Sequence, residues 1–232
     1  MACDANTQVM LHLNVAGTTI TDSSPNAYAG LSCLGNAIQS AAQAKFGAAS
    51  LLLDGTGDMV DMTNAAAAFD FGAGQFTVEM WVRWAAAPAS STILYGTNGA
   101  AAGFQFYWNG ANRLDIYCGG TLVLSATTMT SVTLGTWVHY ACDRDESNVV
   151  RIYENGVVMV SATKTNSFSG TDSTARLGGR NDGYYFVNGY IDEFRVSNVA
   201  RYAGAFTPQT AEFCGGTIVP LAMDHYRRRR VA

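Results

Sequence analysis

The 232-residue chain is 48% hydrophobic and only 14% charged, which excludes a disordered protein, since such chains are charge-rich and poor in aromatics. Its 24 glycines, 11 tyrosines and 11 phenylalanines, beside only Lys45 and Lys164 as lysines, favour strands and turns over long surface helices. The net charge is −4, and −8 once the run Arg227–Arg230 is set aside; an acidic body repels phosphate backbones, so no nucleic-acid-binding core is expected and any basic contact belongs to the tail.

The opening MACDANTQVML has no basic region followed by an apolar stretch, so no secretory signal is expected. Residues 38–45 (IQSAAQAK) have helix-friendly composition but are too few for a stable helix, and 64–68 (NAAAA) suit one short turn. In QFTVEMWVRW the period is two: Phe76, Val78, Met80 and Val82 share one face, and Thr77, Glu79, Trp81 and Arg83 the other. Between Arg83 and Arg113 no residue is charged, yet Pro88, Gly96, Gly99 and Gly103 break the stretch, so no membrane span is expected. GFQFYW (103–108), RLDIYC (113–118), TLVLSA (121–126) and TWVHYACD (136–143) continue as β-forming runs.

VVRIYE, Asn155-Gly156 and VVMVSA spell a hairpin, because both turn residues tolerate the positive φ of a type I′ turn. Beyond Pro208 the alternation is lost. The expectation is an N-terminal extension (1–7), one β domain (8–208) and a C-terminal arm (209–232), with Phe76, Val78, Met80, Ile152, Val158, Ile191 and Phe194 in the core.

Several chemistries drop out. There is no GxxxxGK[ST] loop, no GxGxxG after a strand, no GxSxG and no clustered histidines. His12 and His139 lie in strand-like runs and read as packed or hydrogen-bonded residues. Five widely spread cysteines make no zinc spacing; they read as mostly reduced, with Cys3 and Cys214, which flank the domain, the one pair to check for bonding. Glycoside hydrolysis needs two carboxylates about 5–9.5 Å apart. Glu79 has no acidic companion on its strand and is expected in a surface ion pair with Arg83. Asp192 and Glu193 are adjacent and should point to opposite faces.

The loop Asp54-Gly55-Thr56-Gly57-Asp58 can read as a polar turn or as a cradle for a hard cation. Asp192, on an otherwise apolar strand face with Tyr190, Phe194 and Val196, needs either a cation or several N–H donors.

The segments SLLLDGTGDMV, QFTVEMWVRW, LGTWVHYACDRDESNVVRIYENGVVMVSAT, ARLGGR and FVNGYIDEFRVSNVARYAGAFTP, in that order, resemble the laminin-G-like branch of the concanavalin A-like lectin and glucanase superfamily across about residues 8–208. VMLHLNVAGTTITDSSPNAY and NVARYAGAFTP are similar to such modules in structural proteins of tailed phages. The resemblance implies an all-β, two-sheet antiparallel jelly-roll sandwich. It also implies one structural calcium ion held by Asp54, Gly57, Asp58 and Asp192. The Glu-x-Asp-x-x-Glu string of the hydrolase branch is missing, so no enzyme activity is expected.

The function expected from that resemblance is a non-enzymatic virion component, a capsid decoration or tail accessory protein on the particle surface, made in the host cytoplasm. Its partners would be other virion proteins and its own copies, with no nucleic acid and no membrane. Arg227, Arg228, Arg229 and Arg230, behind the apolar Phe213, Ile218, Val219, Leu221 and Met223, would anchor it. The alternative is a carbohydrate-binding receptor-recognition module for a host-surface glycan. Exposed aromatics beside Asn and Asp are its requirement, and two loops offer them: Trp108, Asn109 and Asn112, and Asn181, Asp182, Tyr184 and Tyr185.

Overall fold

The computed structural model describes residues 2–88, 91–97, 103–110, 112–130, 132–168, 174–180 and 185–215. Fifteen strands carry these residues. They are β1 (Thr7–Leu11), β2 (Ser32–Leu34), β3 (Ile38–Ser40), β4 (Ser50–Asp54), β5 (Met59–Asp61), β6 (Phe76–Trp84), β7 (Ser91–Thr97) and β8 (Phe104–Asn109). They continue with β9 (Arg113–Cys118), β10 (Thr121–Ala126), β11 (Trp137–Arg144), β12 (Val149–Glu154), β13 (Val157–Thr163), β14 (Ala175–Leu177) and β15 (Asn188–Ser197). The alanine run folds as a 3-10 helix, Thr63–Phe69, which buries Ala65, Ala68 and Phe69.

All pairings are antiparallel, in two sheets. The larger runs β13-β12-β11-β6-β15-β4-β3, with β1 added on β15; the smaller runs β10-β9-β8-β7-β14-β5-β2. This is the two-sheet jelly roll that the resemblance implied. Its core is made by the inward half of each strand: Phe76, Val78, Met80 and Val82 from β6 meet Phe104, Phe106 and Trp108 from β8 across the sandwich. Of the seven expected core residues only Val158 differs, being half-buried, because β13 is an edge strand with one neighbour.

β15 is the strand on which the larger sheet turns. Along one side it pairs β6 throughout; along the other it pairs β4 through Asn188–Ile191 and then β1 through Phe194–Ser197. At the handover the register against β6 shifts between Asp192 and Arg195, and Glu193 adopts φ +53°. This bulge overturns the expected alternation: Asp192 and Glu193 are both buried, and neither projects into solvent.

The outer face of β6 is not exposed either. Residues 199–215 run across it as a strap over Thr77 and Glu79, and Lys45 and Phe46 cover Trp81, so all three are buried. Thr77 Oγ1 donates to the Val199 carbonyl and accepts from the Arg201 amide, the Phe206 amide donates to the Gly156 carbonyl, and the Phe213 amide donates to Glu193. Phe213 is buried and Cys214 is disulfide-bonded to Cys3. The boundary expected at Pro208 therefore falls too early. Residues 209–215 belong to the domain, and Phe213 is engaged by it instead of being free for another molecule. Arg227–Arg230 lie outside the described residues.

The hairpin stands as the dipeptide implied, with φ +48° at Asn155 and +79° at Gly156. It does a second job: Asn155 Oδ1 accepts from the His139 amide, and a Cβ at Gly156 would sit 1.9 Å from the strap carbonyl of Phe206. Replacing Asn155-Gly156 by Val-Val should lower stability by at least about 2 kcal/mol, since it strains two positive φ angles and lifts the strap together. A thermal melt unchanged from wild type would contradict this account of the turn.

Candidate functional site

The two outer faces of the sandwich differ in kind. Beneath the strap lies a buried polar layer centred on Glu79, whose Oε1 accepts Arg195 Nε at 2.8 Å and Nη2 at 2.6 Å. Its Oε2 accepts the Tyr202 hydroxyl and lies 3.2 Å from His139 Nε2. Burial alone would raise the Glu79 pKa, but the Arg195 guanidinium, with His139 and Tyr202, holds it at about 2. The expected Glu79–Arg83 pair is thus replaced by Glu79–Arg195, a cross-strand pair in register, while Arg83 lies 5.8 Å from the Tyr190 ring.

Asp192 and Glu193 fill the seam where β15 changes neighbours. Asp192 Oδ2 accepts the Lys45 amide at 2.7 Å and the Phe46 amide at 3.1 Å. Glu193 is held by His12 Nδ1 at 2.7 Å and by the Phe213 amide at 2.6 Å. Of the two solutions open to a carboxylate on this strand, N–H donors are the one found. His12 and His139 are packed against carboxylates, as expected of strand histidines.

The implied calcium set is not one site. Asn188 pairs with Asp54, and Asp192 lies four residues further along β15, about 13 Å away at strand spacing. In the Asp54–Asp58 loop each of the four carboxylate oxygens already has a donor. Asp58 takes the Asn36 and Asp54 amides, and Asp54 takes the Thr56 amide and the Asn36 side chain. Gly57 supplies a positive φ of +77°. These carboxylates act as staples of a tight turn, and among the described residues no three His, Cys, Asp or Glu side chains are grouped to hold an ion. The residues do not fit a calcium site of the implied kind.

On the outer face of the smaller sheet, the described side chains of Tyr107, Asn109, Arg113 and Tyr117 are half-buried. Because Phe104, Phe106 and Trp108 point inward, the alternate residues of β8, Tyr107 and Asn109 among them, point outward; on β9 Leu114 and Ile116 turn in, and Arg113, Asp115 and Tyr117 turn out. Tyr107 lies at the middle of a row, 5.7 Å from Tyr117 and 6.4 Å from Tyr185 between ring centroids, each contact edge-to-face. The Arg180 guanidinium lies 4.2 Å from the Tyr185 ring. Between the rings runs a polar line: Asp115 accepts from Ser125 Oγ at 2.5 Å and from Asn109 Nδ2 at 3.4 Å, and pairs with Arg113 Nε at 3.2 Å. Burial raises the Tyr117 pKa, and the Asp115 charge adds to it, so this phenol stays a neutral donor.

Trp108 is not part of that face. It is 1% exposed and packs on Trp84 and Tyr140, so it offers no platform, a correction that follows from its sharing the parity of Phe104 and Phe106. Asn109 and Tyr185 do reach the face, and Asn112 is exposed at φ +54° in the β8–β9 turn. Asn181, Asp182 and Tyr184 lie outside the described residues. Tyr107 and Tyr117 went unnoticed in the sequence, although the same alternation that hides Trp108 exposes them.

A strapped two-sheet jelly roll with a row of tyrosines and polar side chains on one outward face has the architecture of a lectin-like domain. The family model for Laminin_G_3, of the concanavalin A-like lectin/glucanases superfamily, matches residues 54–204, and the chain belongs to that family. Domain 4 of AbnA, a GH43 extracellular arabinanase from Geobacillus stearothermophilus solved in complex with arabinotriose, superposes with a TM-score of 0.62 at 19% identity, covering 88% of this chain and 95% of that one. The binding domain of botulinum neurotoxin serotype D gives 0.60 at 13% identity, over 84% of this chain but only 48% of the toxin domain, about half its length. A botulinum neurotoxin type C structure, described as dependent on two ganglioside molecules for cell entry, gives 0.59 at 14%, over 84% and 48%. No curated protein sequence matches the chain.

Two outcomes follow from the seam and the loop. Burial lifts the Asp192 pKa from an ordinary 3.8 to about 7, against the pull of the Phe46 and Lys45 amides. The folded state then holds this proton more tightly than the unfolded chain, so the contribution is complete below about pH 3.8 and is lost as pH rises through about 7. Burial raises Glu193 as well, and His12 is raised because the Glu193 hydrogen bond and charge outweigh its own burial; both act with the same sign. The melting temperature should fall between pH 5 and pH 8, and Asp192→Asn should flatten that slope; a slope unaltered by the substitution would refute the assignment. Chelators should leave the melting temperature of the wild-type protein unchanged.

Proposed function

We propose that this domain is a non-enzymatic carbohydrate-binding module whose ligand lies along Tyr107, Tyr117 and Tyr185 and is carried on a virion surface. The row of tyrosines on the outward face, beside the half-buried Asn109 and Arg113 that the buried Asp115 orients, carries the reading: sugar rings present C–H faces that stack on aromatics and hydroxyls that bond to amide and guanidinium groups. Two neighbours of this fold are described with sugars, arabinotriose in one and gangliosides in the other, which supports the same reading.

Support for a non-catalytic role comes from two carboxylates among the described residues of this face. Asp61, ion-paired to Arg176, and Asp115 are separated by four strand spacings, about 19 Å, too far for paired acid chemistry. The virion setting rests on the resemblance of the amino-terminal segment and NVARYAGAFTP to tailed-phage modules. Mass spectrometry of purified particles checks it.

Glycan-array screening followed by titration calorimetry tests the site. Tyr107→Ala and Tyr117→Ala should each weaken binding about tenfold or more, near 1.4 kcal/mol, with the melting temperature close to wild type. Sugar binding that survives both substitutions would move the site elsewhere, and a blank array would remove the reading.

A further inference from the structure

The sandwich is finished differently on its two flanks. On one, β2 and β3 are three residues each, and the preceding segment bridges to them at Gly17–Gln39 and Thr19–Ser32. Short, covered edge strands are how sheets avoid adding a stranger's strand. On the other flank, β13 ends the larger sheet and β10 the smaller, and the two lie in contact. These strands are seven and six residues long, and among the described residues no strand pairs with their outer edges. Their sequences, VVMVSAT and TLVLSA, hold no charge and no proline. Val157 is 59% exposed and Leu122 43%.

Charge and proline defences are absent from these edges, and each strand carries one bulge, β13 near the hairpin and β10 between Leu122 and Leu124. Past the β13 bulge, Val160–Thr163 run in unbroken register with Val149–Ile152, leaving a straight, uncharged stretch with outward amides and carbonyls. We propose that this flank is an interface between two copies of the chain, formed by antiparallel pairing of β13 with β13 about a two-fold axis, with β10 beside β10. The occupant follows from charge. A body of net −8 outside the four-arginine run repels its own copies wherever carboxylates face each other. An edge with no charge is the place where two identical surfaces meet without like charges opposed, and an antiparallel strand is complementary to itself.

Such a pair extends both sheets across the axis, so the tyrosine faces of the two copies look the same way. If that face binds glycan as proposed above, the pair meets a glycan-covered surface with two sites at once. The dimer itself does not depend on that reading.

Sedimentation equilibrium of the full chain tests it. The wild type should show a concentration-dependent monomer–dimer equilibrium. Val157→Lys with Thr163→Lys, both at exposed positions, should raise the dimer dissociation constant about tenfold or more while circular dichroism and melting stay close to wild type. Ser32→Lys, on the covered flank, should leave the equilibrium unchanged. A wild type that is monomeric at its highest soluble concentration overturns the proposal. So does a double variant that dimerises as well as wild type, or a Ser32→Lys chain that loses the dimer equally. Glycan titration of the double variant separates the two readings, since it should bind a monovalent oligosaccharide as wild type does.

Discussion

The carboxylate of Glu79 is out of reach of water, and the elements over the outer face of the larger sheet are arranged around that fact. Arg195 reaches it from the neighbouring strand, Tyr202 from the strap and His139 from the other side. Removing one partner of a buried pair costs about 3–5 kcal/mol, because the other charge is left without compensation. Arg195 also lies 3.8 Å from the Phe213 ring, so the same guanidinium that neutralises Glu79 holds the far end of the strap. One ion pair thereby couples β6, β15 and residues 199–215. Glu193 at the seam depends on it in turn, since Phe213 must be in place for its amide to bond that carboxylate.

The two faces divide labour. The larger sheet spends its outer polar residues on internal bonds and is closed. The smaller sheet keeps tyrosine rings, amides and one buried carboxylate in an arrangement that internal bonds orient without covering. Asp115 fixes Asn109 and Arg113 from below, so those groups are pre-set in direction before any ligand arrives, and less ordering is lost on binding.

What the sequence revealed follows the range of the physics involved. Alternation and the Asn155-Gly156 turn are local, and they gave the strands, the hairpin and six of seven core positions correctly. Cys3 and Cys214, because they flank the domain, stood out only as the pair to check, and the fold brings them together into a disulfide. Partners set by register were not. Arg83 stands four residues from Glu79 in the chain, whereas Arg195 stands 116 away and meets it only after β15 is laid beside β6 with a bulge. The same bulge put Asp192 and Glu193 where simple alternation forbids, and turned a suspected ion site into a seam held by amides. Trp108 misled through size: as the largest aromatic of its run it drew attention that its parity with Phe106 should have withdrawn, and Tyr107 beside it went unremarked.

The bond between Cys3 and Cys214 spans 211 residues of chain, with the two Cα atoms 4.8 Å apart. Its consequence is mechanical. A pull applied through residues before Cys3 and after Cys214 travels across a single covalent bridge, and residues 4–213 hang from it as a closed loop that carries no tension. Neither sheet can be unzipped strand by strand from its ends, because β1 and the strap are not in the line of force. Shear that would peel an ordinary sandwich from its terminal strand is here short-circuited at the point of attachment.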